Sequence, residues 1–523
     1  MSRTFRNPIL PGFYPDPSIC RVGDDYYLVT SSFEYFPGLP IFHSRDLVNW
    51  RQLGHVLTRP AQLNLDGVRG SGGLYAPTIR HHNGMFYVIN TLMDGKVNHG
   101  NFIVTAPDIT GPWSEPFWLP EARGIDPSLY FDDETGKAWY VGNRPVAEPQ
   151  FAGHCEIWLQ ELDLKAMRLI GPDYALWEGA LKQAIWPEGP HIYKIEGYYY
   201  LLISEAGTGH DHALSIARSE HLTGPYEGYK RNPILTHRHL GWDYPIVGVG
   251  HADLVETSNN EWWLVLLGMR PTEGYHFNLG RETFLAPVTW EQGWPVVNVG
   301  VGKVEFAMTA PNLPEHPWPT LPARDDFDSD SKTLADTWNF IRTPREPFWS
   351  LSERPGNLRL KLRPTSITEV ANPSFVGRRQ QHFSFVAQAS LEFTPQSEHE
   401  CAGLAVLQNN HFHYRLTVTL DAGSCVVQLI KCEKGEEMLL AQQALPEGRV
   451  YLKASAVSQA VYSFYVSSDE NNWQQISESV DGRILSTKVA GGYVGTYIGM
   501  YASSNGQPSE NHADFDWFEY TGD

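Results

Sequence analysis

Three acids in this chain each open the same kind of segment: Asp16 in "YPDPSI", Asp126 in "IDPSL" and Glu188 in "WPEGPHI". Carboxyls brought to one point can cleave an acetal. One protonates the departing oxygen, and a second activates water or attacks the anomeric carbon. A third acid near the proton donor raises its pKa by like-charge repulsion and keeps it protonated near neutrality. Glu188, with the longest reach and Trp186 beside it, suits the donor; Asp16 is then the base and Asp126 the tuner. Spacing along the chain leaves inversion and retention undecided. Asp16 stands between Pro15 and Pro17. Proline fixes its own φ and drives its predecessor toward extended backbone, so Asp16 is expected to be extended and stiff.

The elements that hold these acids announce themselves as a repeat. Five segments share a turn residue, an aromatic pair and an aliphatic run: "DDYYLV", "GMFYVI", "GKAWYV", "GYYYLL" and "NEWWLV". About ten to thirteen residues before each lies a second matching element, opened by Asp16, Ala76, Asp126, Glu188 and His251. A period near sixty with short alternating strands fits a four-stranded propeller blade, and five blades fit the first three hundred residues. The first strand of a blade lines the central channel. The five opening residues are therefore expected to meet around one pit.

After residue 310 the texture changes. Residues 311–325 are rich in proline and read as a semi-rigid linker. From 326 to 523, alternating segments such as "NLRLKLR", "HYRLTVTL" and "YSFYVSS" predict an antiparallel, jelly-roll-like β-sandwich, with "DDFD" and "ADFDWFEY" as partner edge strands. The expected fold class is thus all-β: a five-bladed β-propeller over 1–310, followed by the sandwich.

Composition narrows the partners. A net charge of −20 repels nucleic-acid phosphates and anionic membranes, so neither is an expected partner. The 17 Trp and 25 Tyr supply rings that can face sugars as well as fill cores. The first residues, "MSRTFRNPIL", carry no apolar signal core, and the five cysteines are odd in number and scattered. A cytoplasmic setting, with imported oligosaccharides as substrate, is the expectation. A homo-oligomer stays open.

Taken together, "NPILPGFYPDPSICRVGDDYYLVTSSFEYFPG", "IDPSLYFDD", "WPEGPHIYKIEGYYYLLISEAGT", "GHADLVET" and "LGRETFLAPVTWEQGWPVVN" resemble glycoside hydrolase family 43, in its two-domain β-xylosidase and α-L-arabinofuranosidase branch. The resemblance spans nearly the whole chain. It implies an inverting, exo-acting enzyme with Asp16 as general base, Asp126 as pKa modulator and Glu188 as general acid, releasing a terminal pentose. It further implies that Arg281 binds substrate hydroxyls and that Phe33, Ala76 and Thr208 line the pocket. It places His251 at the channel centre, near a Ca²⁺ or a water cluster; no cofactor is otherwise required. His210 and His212 in "GHDHAL" have only a superficial zinc spacing. Tyr75 stands where many β-xylosidase relatives have Trp. Tyr493 and Tyr497 stand in a C-terminal loop that presents Phe to the pocket in those relatives; one of the two, Tyr497 by preference, is expected to cross the domain boundary into the sugar pocket. Two other readings compete. A retaining fructosidase would carry "NDPNG", "RDP" and "EC" motifs that this chain lacks, and a sugar-binding, lectin-like protein would have no need of three convergent acids.

Overall fold

The computed structural model describes residues 3–94, 98–183, 185–445 and 448–523. Its first part contains five antiparallel sheets of four or five strands in chain order. Their first strands are Ser18–Val22, Thr78–His82, Ser128–Asp132, Glu188–Ile195 and Val247–Glu256. These touch in a closed ring, the last packing against the first. Each pairs in antiparallel register with the strand that bears the aromatic pair of the repeat: Asp25–Val29, Met85–Met93, Lys137–Pro145, Tyr198–Glu205 and Trp262–Met269. The reason for the repeat is then packing. At least one aromatic of each pair, namely Tyr26, Phe86, Tyr140, Tyr199 and Trp263, is buried among the aliphatic side chains of the sheets. The ring is closed by chain ends as well. Thr4–Arg6 pairs with Ala307–Thr309, and the Asn7 side chain donates to the carbonyls of Leu285 and Glu305.

The second part is a sandwich of a six-stranded and a nine-stranded antiparallel sheet. Alternation in strands such as Phe385–Glu392 sends Phe385, Ala387, Ala389 and Leu391 into a core shared with Leu404, Leu416, Leu452 and Phe464. Arg324–Asp325 pairs with Glu519 and Phe518 of the last strand, so the two chain ends of this part are partners. The last strand, His512–Gly522, is central rather than an edge: Leu358–Lys361 flanks it on one side and Phe385–Glu392 on the other. Among the described residues the helical content is one α-turn, Thr487–Ala490, and two 3₁₀ segments. None of it is long and apolar enough to cross a membrane.

The two parts are locked together. Tyr35–Phe36 forms a two-stranded sheet with Phe340–Ile341 across the boundary. Arg379 donates to the Phe13 carbonyl at 2.7 Å and to Asn339 at 2.8 Å. Asn278 is held by Gln459, Tyr462 and Gly482. The proline-rich connection lies against the first sheet, where Arg51 covers Trp318 at 3.8 Å and the His316 N–H reaches Asp46.

Candidate active site

Asp16, Ala76, Asp126, Glu188 and His251 all line one cavity of about 450 Å³. The first three lie two residues ahead of their strands, Glu188 begins its strand, and His251 falls at a bulge inside its own. Phe33, Tyr75, Thr208, Arg281 and Tyr493 complete the sugar-facing set expected from the sequence, and Trp186, His210 and Asp211 join them. The expectation for Tyr497 is overturned. That side chain is fully buried, stacked on Tyr35 at 3.8 Å and edge-on to Phe13, and it does not reach the cavity. Tyr493, four residues earlier on a loop, is the side chain that crosses into the site. It stacks on Phe33 at 5.9 Å, and its backbone N–H donates to Ser71 at 2.8 Å.

Backbone strain is concentrated here. Asp16, Phe33, Asp126, Trp186 and His251 all have left-handed φ, between 46° and 53°. Such conformations in non-glycine residues cost on the order of 1–3 kcal/mol each and persist only where their surroundings enforce them. Asp16 is therefore not extended, although Pro17 follows it. Hydrogen bonds on both sides set its backbone, from the Tyr14 N–H to the Arg281 carbonyl and from the Ser31 N–H to the Pro15 carbonyl. These contacts override the local preference of the sequence.

The Asp16 carboxylate receives a bidentate Arg281 guanidinium at 2.7 and 3.2 Å and the Ser31 hydroxyl at 2.5 Å. Burial works against its charge, but Arg281, His251 and Ser31 outweigh burial, and the carboxyl titrates below its usual range. Ser31 is a site residue that sequence reasoning missed; its one signal is a hydroxyl just past the second strand, in "VTSS". Glu188 is driven the other way. Burial first, then the charges of Asp126 and Asp16, push it well above the usual carboxylate range, with Arg281 opposing. Asp126, which accepts the Gly189 N–H at 3.2 Å, is raised by burial to about 6, with His251 opposing and Asp16 adding to the rise. One cavity thus holds a carboxylate kept charged and a carboxyl kept protonated, the division of labour that acid–base cleavage needs.

Donor atoms of Asp126, Glu188 and His251 lie within 4.8 Å of one another, which raises the question of calcium. Calcium takes six to eight oxygens. This set offers two carboxyls and an imidazole, and the surroundings of Glu188 favour its proton. Two to five residues further along the first strands, a fixed cation and its partners already stand. Arg80 donates to Asp253 at 2.7 Å and to His191 at 2.9 Å, while Ser18 and Tyr193 donate to the same Asp253 carboxylate. The residues present therefore fit a calcium cage poorly. His212 is buried behind the site, bonded to the Gly248 carbonyl at 3.1 Å, whereas His210 faces the cavity.

The chain is similar to known proteins along nearly its whole length. The model for glycosyl hydrolases family 43 matches residues 5–295, and that for the β-xylosidase C-terminal concanavalin A-like domain matches 324–521. A xylosidase/arabinosidase of Butyrivibrio fibrisolvens is 49% identical, with 98% of each chain covered. A non-reducing end α-L-arabinofuranosidase of Bacteroides ovatus is 44% identical over 99% of this chain and 95% of its own. The crystal structure of a xylan β-1,4-xylosidase from Bacillus halodurans superposes with a TM-score of 0.93 at 39% identity, covering 99% of this chain and 100% of that one. With both halves of the chain matched and the acids of the first half gathered in one cavity, this protein belongs to glycoside hydrolase family 43.

Proposed function

We propose that this glycosidase releases a terminal pentose, α-L-arabinofuranose or β-D-xylose, from the non-reducing end of hemicellulose-derived oligosaccharides, with inversion at the anomeric carbon. The names of its relatives support the sugar class. The observation that carries the mechanism is the opposed titration of Asp16 and Glu188 within one cavity. Asp16, held ionised by Arg281, takes a proton from the water that attacks the anomeric carbon. Glu188 gives its proton to the glycosidic oxygen as the C–O bond breaks and its electron pair moves to that oxygen. Asp126 keeps Glu188 protonated between turnovers. Phe33, Tyr75 and Tyr493 form an aromatic wall around the terminal sugar, with Arg281 lying over the Phe33 and Tyr493 rings at 5.5 Å.

Two variants test the roles on two leaving groups. Glu188→Ala is expected to lower kcat/KM on an unactivated disaccharide by about 10²–10⁴ and to spare much of the rate on a dinitrophenyl pentoside, which leaves without protonation. Asp16→Ala is expected to lose both. Near wild-type rates in Asp16→Ala, or equal losses on the two substrates in Glu188→Ala, would contradict the assignment.

A further inference from the structure

Two residues before Glu188, the Trp186 indole is held in place at a cost yet remains 47% exposed at the cavity. Its backbone is left-handed, at φ 51°, and is pinned on both sides: the Trp186 N–H bonds the Gly153 carbonyl at 2.8 Å, and the Ala206 N–H bonds the Ile185 carbonyl at 2.9 Å. The ring lies in a slot between two glycines from neighbouring loops. A Cβ on Gly153 would stand 2.9 Å from the indole Nε1, and one on Gly207 would stand 2.8 Å from Cε3. Both glycines have left-handed φ as well, so no other residue fits either place without strain. A tryptophan needed only for packing would be covered. Here strained backbone and two glycines hold an aromatic surface half in solvent.

We infer that Trp186 is the side chain whose face receives the leaving-group sugar of the substrate. This inference rests on the proposed role of Glu188. The proton that Glu188 delivers goes to the oxygen joining the two sugars, so the departing ring lies on the Glu188 side of the cavity, and Trp186, two residues before Glu188, lines that same cavity. An apolar ring face with a polar rim complements an aromatic plane, as amphipathic side chains do at wet interfaces. At about 450 Å³ the cavity falls within the ~300–1,000 Å³ typical of ligand sites and has room for more than one pentose ring. His210, backed by the stacked Trp242 at 3.8 Å, adds a second aromatic surface to the same cavity. The ligand class is therefore a disaccharide or longer oligosaccharide.

The test compares kcat/KM for the better cleaved of xylobiose and arabinofuranosyl-xylose with that for the matching methyl pentoside, whose leaving group has no ring. In Trp186→Ala the ratio is expected to fall about tenfold, and in Trp186→Phe to recover most of that loss. A ratio within about twofold of wild type in Trp186→Ala, with both substrates losing equally, would mean that the indole only shields the acid and would overturn the inference. A crystal of Glu188→Gln soaked with the same disaccharide gives an answer that does not depend on Trp186→Ala folding: the leaving-group ring is expected face-on to the indole, and a ring placed elsewhere overturns the inference. If Glu188→Gln hydrolyses the disaccharide at the wild-type rate, it is the acid assignment that fails, and the substrate ratio still decides the role of Trp186.

Discussion

Replacing Asp126 with Asn removes a negative charge from beside Glu188 and keeps an oxygen to accept the Gly189 N–H. Its carboxyl oxygen and that of Glu188 lie within 4.8 Å. At an effective dielectric constant of about 20, two unit charges at that distance interact by about 3.5 kcal/mol, or roughly 2.5 pH units. Asp126 titrates at about 6 and Glu188 is held well above the usual carboxylate range, so Asp126 is charged where Glu188 loses its proton. The opposing charge of Arg281 offsets part of that repulsion, and the net effect on Glu188 is expected to be about one to two units. The sign follows from the acid's role. Glu188 works while protonated, so the alkaline limb of the kcat/KM profile marks its deprotonation. In Asp126→Asn that limb is expected to move to lower pH, while the acidic limb, set by Asp16, is expected to move far less. The assay is kcat/KM on an unactivated pentoside across pH 3–10, with a thermal melt to confirm folding. A folded variant whose alkaline limb stays where wild type has it would refute the modulating role of Asp126.

Tyr497→Ala removes a fully buried ring stacked between the two parts of the molecule. A large-to-small change of this kind costs about 3–5 kcal/mol, or a Tm loss on the order of 10 °C for a domain of this size. Tyr493→Ala is expected to leave Tm nearly unchanged and to raise KM; a Tyr497→Ala protein with wild-type Tm and raised KM would return the sugar wall to Tyr497. Chelation is the simplest check on the channel. Because Arg80 already supplies a cation there, dialysis against EDTA is expected to leave kcat/KM within about twofold, and a loss restored by Ca²⁺ would contradict that reading.

The repeat was legible because one aromatic in each second strand has to fill the space between sheets, a demand that recurs at every sheet. The opening residues of the first strands followed from it, and with them the lining of the cavity. What the sequence hid was set by distant contacts. The left-handed φ of Asp16 depends on Arg281, 265 residues away. The choice between Tyr493 and Tyr497 turns on where a loop gives way to a strand buried on both faces, because Tyr497–Ser503 has the sandwich core on one side and the propeller on the other. A strand so enclosed shows no alternation to read. Likewise, being last in the chain says nothing about being last in the sheet, and His512–Gly522 is central because three other strands find pairing on its two edges.

The central claim, that Asp16 activates a water while Glu188 protonates the leaving oxygen, has a direct stereochemical consequence. A single displacement by water inverts the anomeric carbon, whereas attack by a carboxylate followed by hydrolysis retains it. Proton NMR of the first product formed, recorded before mutarotation, reads this out. The account predicts β-L-arabinose from an α-L-arabinofuranoside, or α-D-xylose from a β-D-xyloside. The retained anomer appearing first would contradict it.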